Sequence, residues 1–87
     1  MSNKSIQKQL SQVLGFTGTV KEIRRKIVDV TNRMIVNIEQ QSETDNGYIY
    51  YRFNLGLLGG RDLNYKIQLV KSEEVFGQVT VTGIIQF

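Results

Sequence analysis

The sequence predicts a two-layer α+β domain, with one or two N-terminal helices packed on one face of a four-stranded antiparallel β-meander. Three observations carry that expectation. Residues 34–87 alternate apolar and polar side chains through four segments, the period of two that gives a sheet one buried face. Residues 3–32 instead space their apolar side chains by three and four, the period of a helical stripe. The connections Ser42–Gly47, Gly56–Asp62 and Ser72–Gly77 are short enough for hairpins. At 87 residues the chain is expected to form a single domain, residues 1–87.

In the first helix, expected over 3–14, Ile6, Leu10, Val13 and Leu14 share a stripe, and Gly15 stands where a C-terminal cap belongs. The second, expected over 19–32, places Val20, Ile23, Ile27, Val30 and, at its limit, Met34 on one face. Thr19, with Glu22 three residues on, has the pattern of a capping box. Its β-branched content, with Val28 off the stripe, leaves a strand pair as the alternative for this stretch.

The sheet is expected over 34–87. In its first strand Met34, Val36 and Ile38 face the core, and Ile35, Asn37 and Glu39 face water. In the second, Ile49, Tyr51, Phe53 and Leu55 point inward, and Tyr48, Tyr50, Arg52 and Asn54 outward. Leu63, Tyr65, Ile67 and Leu69 are the inner residues of the third, against Asn64, Lys66, Gln68 and Val70. In the fourth, Val79, Val81, Gly83, Ile85 and Phe87 face in, while Thr80, Thr82, Ile84 and Gln86 face out. As the last strand of a meander it is expected at a sheet edge, with neither proline nor lysine to blunt pairing. Helix followed by four antiparallel strands resembles in outline the layout of cystatin-like folds. The resemblance is architectural: the glutamine-valine-glycine inhibitory loop of cystatins has no counterpart in Ser42-Glu43-Thr44-Asp45-Asn46-Gly47. No residue role and no protease-inhibiting activity is carried over.

Composition excludes more chemistry than it suggests. The sequence holds no cysteine, hence no disulfide framework, thiolate metal site or thiol nucleophile. It holds no histidine, the commonest general base near neutral pH and the commonest metal ligand. The expectation is a non-enzymatic protein without cofactor or metal. Glu43, Asp45, Glu73 and Glu74 fall in two loops at one end of the meander, but their spacing matches no calcium loop and solvated carboxylates are the plain reading. No apolar run approaches the roughly 20 residues of a membrane span, and the stretch Ser2–Gln9 is polar rather than signal-like. A cytoplasmic protein with no membrane partner is therefore expected.

Charge is unevenly divided. Residues 1–33 carry seven cations and two acids, a balance of +5, whereas residues 34–87 carry four cations and six acids, a balance of −2. Glu22 with Lys26 and Arg25 with Asp29 stand at helical i,i+4 spacing, where each pair would neutralise itself on a solvated face. On the second helix that leaves Lys21, Arg24 and Arg33 uncompensated. On the outer sheet face, Tyr48, Tyr50, Arg52 and Lys66 interleave aromatics with cations, a pattern able to stack on single-stranded bases. Tyrosine is also simply a good strand former that tolerates half-exposure.

The leading functional expectation is a small binding protein of adaptor or inhibitor type, working through protein–protein contacts as a homodimer. Its candidate residues are Leu57, Leu58 and Arg61 in the glycine-rich loop, whose two leucines either project to anchor in a partner's groove or fold back under the second helix, and Thr80, Thr82 and Ile84 on the outer side of the last strand. Pairing two copies along that strand would remove its edge, and the alternative is that the N-terminal segment covers it within one chain. The alternative is a basic nucleic-acid-binding protein using Lys21, Arg24, Arg33, Tyr48, Tyr50, Arg52 and Lys66. Cations clustered on one surface favour nucleic acid, and dispersed cations favour a protein partner.

Overall fold

The computed structural model describes residues 3–56 and 63–86. Among them two helices and five strands follow the order α1 (Asn3–Ser11), β1 (Thr17–Gly18), α2 (Val20–Thr31), β2 (Ile35–Glu43), β3 (Tyr48–Leu55), β4 (Leu63–Lys71) and β5 (Val79–Gln86). All strand pairs are antiparallel and the sheet order is β1-β5-β4-β3-β2. The class is the expected α+β, with a fifth strand that the alternation pattern did not reveal. Val20–Thr31 is helical between caps at Thr19 and Asn32, so the strand-pair alternative is not realised. No helix among the described residues is long and apolar enough to cross a membrane.

The helix ends follow local chemistry. The Thr19 hydroxyl accepts the Glu22 backbone N–H at 3.1 Å, and the Glu22 carboxylate accepts the Thr19 backbone N–H at 2.9 Å, completing the capping box. At the other end Asn32 adopts the left-handed conformation, φ 53°, and its N–H donates to the Val28 carbonyl. The first helix is regular only to Ser11; beyond it Val13, Leu14 and Phe16 donate to carbonyls three residues back, a tightened ending. Gly15 then turns the chain with φ 83°, a conformation a side chain would strain.

That turn is where the expected four-stranded topology fails. The Gly15 N–H donates to the Val81 carbonyl at 2.8 Å, and the Val81 N–H returns a bond to the Phe16 carbonyl at 3.0 Å. Thr17 and Gly18 then pair with Thr80 and Val79 as β1. The edge of β5 expected to be open is therefore occupied along 79–81 by the N-terminal segment. Among the described residues, β2 ends the sheet on the other side. Its edge is interrupted by irregular register at Val36 and at Gln41 and carries Glu39 and Glu43, devices that discourage strand addition.

The core lies between helices and sheet. Ile6, Leu10 and Val13 from the first helical segment and Ile23 and Ile27 from α2 pack with Ile49, Phe53, Leu55, Tyr65, Ile67, Leu69, Val79 and Val81. At its centre the Phe53 and Tyr65 rings stack at 5.5 Å between centroids. Leu14, expected on the helical stripe, is exposed, because the helix has already tightened; Met34 is exposed, because it follows the cap of α2.

Two bulges correct the expected faces. Opposite β3, the register slips between Ile35 and Asn37, so Ile35 and Ile38 turn to the core while Val36 is left 58% exposed. Opposite β4, Leu69 pairs with Val81 but Gln68 pairs with Gly83, so Thr82 is the extra residue and the alternation inverts after it. Ile84 consequently packs against the core, and Ile85 faces outward, 61% exposed. A bulge adds one residue to one strand, which exchanges inside for outside beyond it.

Three outcomes follow from this packing. Phe53→Ala is expected to cost about 3–5 kcal/mol in urea denaturation, enough to unfold a domain of this size. Ile35→Asp and Ile84→Asp are expected to destabilise by more than about 1 kcal/mol, while Val36→Asp and Ile85→Asp stay within about 0.5 kcal/mol; the reverse ranking of midpoints would mean that alternation runs unbroken. The Tyr65 hydroxyl is buried with no hydrogen-bond partner among the described residues. Burial raises its pKa from the usual 10.0, the nearby Arg33 charge opposing in part. The unfolded chain then releases this proton first, so the stability it contributes is complete below pH 10.0 and is lost as pH climbs above it. Tyr65→Phe is expected to be at least as stable as the wild type near neutrality and to flatten that alkaline loss, read by thermal melts on either side of the boundary.

Candidate functional site

The outer face of the sheet is built by register. One row across four strands runs Glu39, Arg52, Lys66 and Ile85, and the next runs Ser42, Tyr50, Gln68 and Gly83. The first row exists only because of the bulge at Thr82, which brings Ile85 opposite Lys66 on this face. The Lys66 ammonium lies 5.3 Å from the Tyr50 ring centroid, a cation–π contact. Gln41, the extra residue of β2, donates through its side-chain amide to the Glu39 carboxylate at 2.8 Å.

Two adjoining shallow hollows result. One of about 350 Å³ is lined by Gln41, Arg52, Lys66 and Ile85. The other, about 150 Å³, is lined by Tyr50, Lys66, Gln68, Gly83 and Ile85. Lys66 and Ile85 stand between them. The surface offers an aromatic ring, an exposed aliphatic chain, two cations and amide hydrogen-bonding groups. It offers recognition chemistry; no nucleophile is paired with a base on it.

A third hollow, about 410 Å³, lies between α1 and β5, lined by Gln7, Leu10, Ser11 and Leu14 on one side and by Tyr65 and residues 84–86 on the other. The Gln7 side-chain amide donates to that of Gln86 at 3.2 Å, and the Ser11 hydroxyl donates to the Lys8 carbonyl. The two amides and the Ser11 hydroxyl thus bond to one another or to their own helix, while the hydroxyl of Tyr65, another lining residue, has no partner among the described residues. Among the described residues no three acidic side chains gather as a metal site. The Glu43 carboxylate instead meets the Lys71 ammonium at 3.0 Å.

The residues expected to bind nucleic acid divide between two opposite surfaces. Tyr48, Tyr50, Arg52 and Lys66 share the outer sheet face. Lys21 and Arg24 are exposed on the helical layer behind it, and Arg33 is part-buried, donating to the Gly56 carbonyl at 3.5 Å. The expected helical ion pairs do not form: the Glu22 carboxylate is engaged by the cap, and Lys26 sits 5.8 Å from the Phe16 ring centroid. Lys71–Glu43 is the only ion pair among the described residues, so Arg25 and Asp29 also stay apart.

The residues expected to bind protein fare differently. Leu57, Leu58 and Arg61 lie outside the described residues. Thr80 does not present a free edge, because its backbone pairs with Thr17 and the two hydroxyls meet at 2.7 Å. The Thr82 hydroxyl donates across the bulge to the Gln68 carbonyl, and Ile84 faces the core. These three do not form one outward patch. Ile85 and Gln41, which do line the outer hollows, escaped sequence reasoning because each depends on a bulge. Phe76, fully exposed in the last hairpin, was also missed; an aromatic outside any periodic stretch was its signal. Neither a protein-family model nor a curated protein nor a solved structure matches the chain.

Proposed function

We propose that this chain is a small, non-enzymatic binding protein of adaptor or inhibitor type that takes a protein partner on the outer face of its sheet. The observation that carries this reading is the division of its cations. Lys21 and Arg24 stand on the helical layer, and Arg52 and Lys66 on the opposite face beside the Glu39 carboxylate. A phosphate backbone calls for one continuous basic track, whereas a protein partner is held by a few aromatic, aliphatic and arginine anchors within a mixed polar rim. Tyr50, Ile85 and Arg52 supply such anchors on a surface of nearly balanced charge. The absence of histidine and cysteine from the sequence supports binding over catalysis. The cysteine-free composition suits a reducing compartment, and the cytoplasm is part of the proposal.

Nucleic acid is the second reading, favoured by Tyr50 with Lys66 over its ring, which could stack on an unpaired base. Affinity capture from the source cells, with and without nuclease, separates the two. The expected result is a protein retained after nuclease treatment and lost with Tyr50→Ala combined with Ile85→Ser. Both changes lie on the outer face, so circular dichroism is expected to stay unchanged. In a gel-shift series with single-stranded DNA and RNA, no retardation is expected even at low salt. A shift that weakens by roughly one counterion per phosphate contact as salt rises would replace the protein-binding reading with the second.

A further inference from the structure

Phe76 is 105% exposed, more than any other described hydrophobic side chain. It stands on a hydrogen-bonded turn. The Ser72 N–H donates to the Gln78 carbonyl at 2.9 Å, and the Gln78 N–H to the Val75 carbonyl. The Ser72 hydroxyl accepts the N–H groups of Glu74 and Val75, and Gly77 takes φ 85° to close the turn. The backbone thus holds the ring outward beside half-exposed Val75. Next to it an apolar hollow of about 250 Å³ opens between the hairpin and the start of α2, lined by Val20, Ile49, Val79 and Phe76 with Lys71 at the rim.

Charge divides across this hollow. On the hairpin side Glu73 and Glu74 are exposed, and neither has an ion-pair partner among the described residues. On the helix side Lys21 follows Val20 and Arg24 lies one turn on, both exposed and likewise without a carboxylate among the described residues. The acids and the cations thus belong to the two segments, the hairpin and the start of α2, that contribute Phe76 and Val20 to the hollow.

We propose that this pole binds a second copy of the chain. A two-fold axis lying along the hollow sets the hairpin of each copy against the α2 start of the other. Each Phe76 enters its partner's hollow, and Glu73 and Glu74 of each copy face Lys21 and Arg24 of the other. The two carboxylates disfavour an anionic lipid surface as the alternative home for an exposed phenylalanine. Strand pairing along β5 is a different contact, and residues 79–81 of that edge are already occupied by the N-terminal segment. A contact of one hairpin and one helical turn from each copy is small, so a dissociation constant of about 10–200 μM is expected.

Sedimentation velocity of the full chain across about 5–500 μM is expected to show a monomer–dimer equilibrium in that affinity range. Phe76→Ser should weaken it by about 100-fold or more, because the symmetry removes two knobs at once, while the melting temperature stays unchanged. Tyr50→Ala with Ile85→Ser, which alters the sheet face instead, should dimerise like the wild type. The charge test uses two double variants, Glu73→Lys with Glu74→Lys and Lys21→Glu with Arg24→Glu. Each alone should be monomeric, and their equimolar mixture should form the heterodimer, with less of it as salt rises. A wild type that stays monomeric across the range, a dimer that survives Phe76→Ser, or charge variants that do not associate when mixed would each overturn the proposal.

Discussion

The hydrogen bonds between the Gly15–Gly18 segment and β5 are the constraint on which the layout depends. They place the end of the first helical segment at one side of the sheet and start α2 one residue later, at the Thr19 cap. Both helices are thereby committed to the same face, where Ile6, Leu10, Val13, Ile23 and Ile27 meet the strands. The approach is close: a Cβ on Gly18 would come within 3.2 Å of the Phe16 ring and of the Glu22 carboxylate that completes the cap. The same few residues cover the β5 edge along 79–81, which removes that stretch as a site where other chains could add.

The outer face owes its character to departures from regularity. An unbroken β5 would bury Ile85 and turn Ile84 outward, leaving the row through Arg52 and Lys66 to end differently. The extra residue at Thr82 reverses this, and its hydroxyl bond to the Gln68 carbonyl anchors the bulge. Bulges are favoured where a strand must re-aim its side chains. Here one puts an aliphatic group beside Lys66 and Tyr50, and another frees Gln41 to line the same surface.

Charge, too, is organised by the fold. The excess of cations in residues 1–33 remains solvated on the helical layer, since Glu22 serves its own helix N-terminus and Asp29 meets no cation among the described residues. An acid in the first helical turn is stabilised by the helix dipole as well as by the capping bond, which outweighs the few tenths of a kcal/mol of an exposed i,i+4 pair. Glu73 and Glu74 likewise have no ion-pair partner among the described residues. Uncompensated charge of both signs costs little in water, and it would orient the contact between copies proposed above.

The sequence by itself determined the class and most of the core. Period-two alternation located Ile49, Phe53, Leu55, Tyr65, Ile67, Leu69, Val79 and Val81, and the Thr19–Glu22 signature located the start of α2, because these patterns depend on neighbours in the chain. Tyr48, Tyr50, Arg52 and Lys66 were legible as one face for the same reason. The two-residue β1, the bulges at Val36 and Thr82, and the resulting exchange of Ile35 for Val36 and of Ile84 for Ile85 were decided by the tertiary structure alone. A strand of two residues is too short to show a period. A bulge is fixed by the partner strand across the ladder, so no local pattern records it.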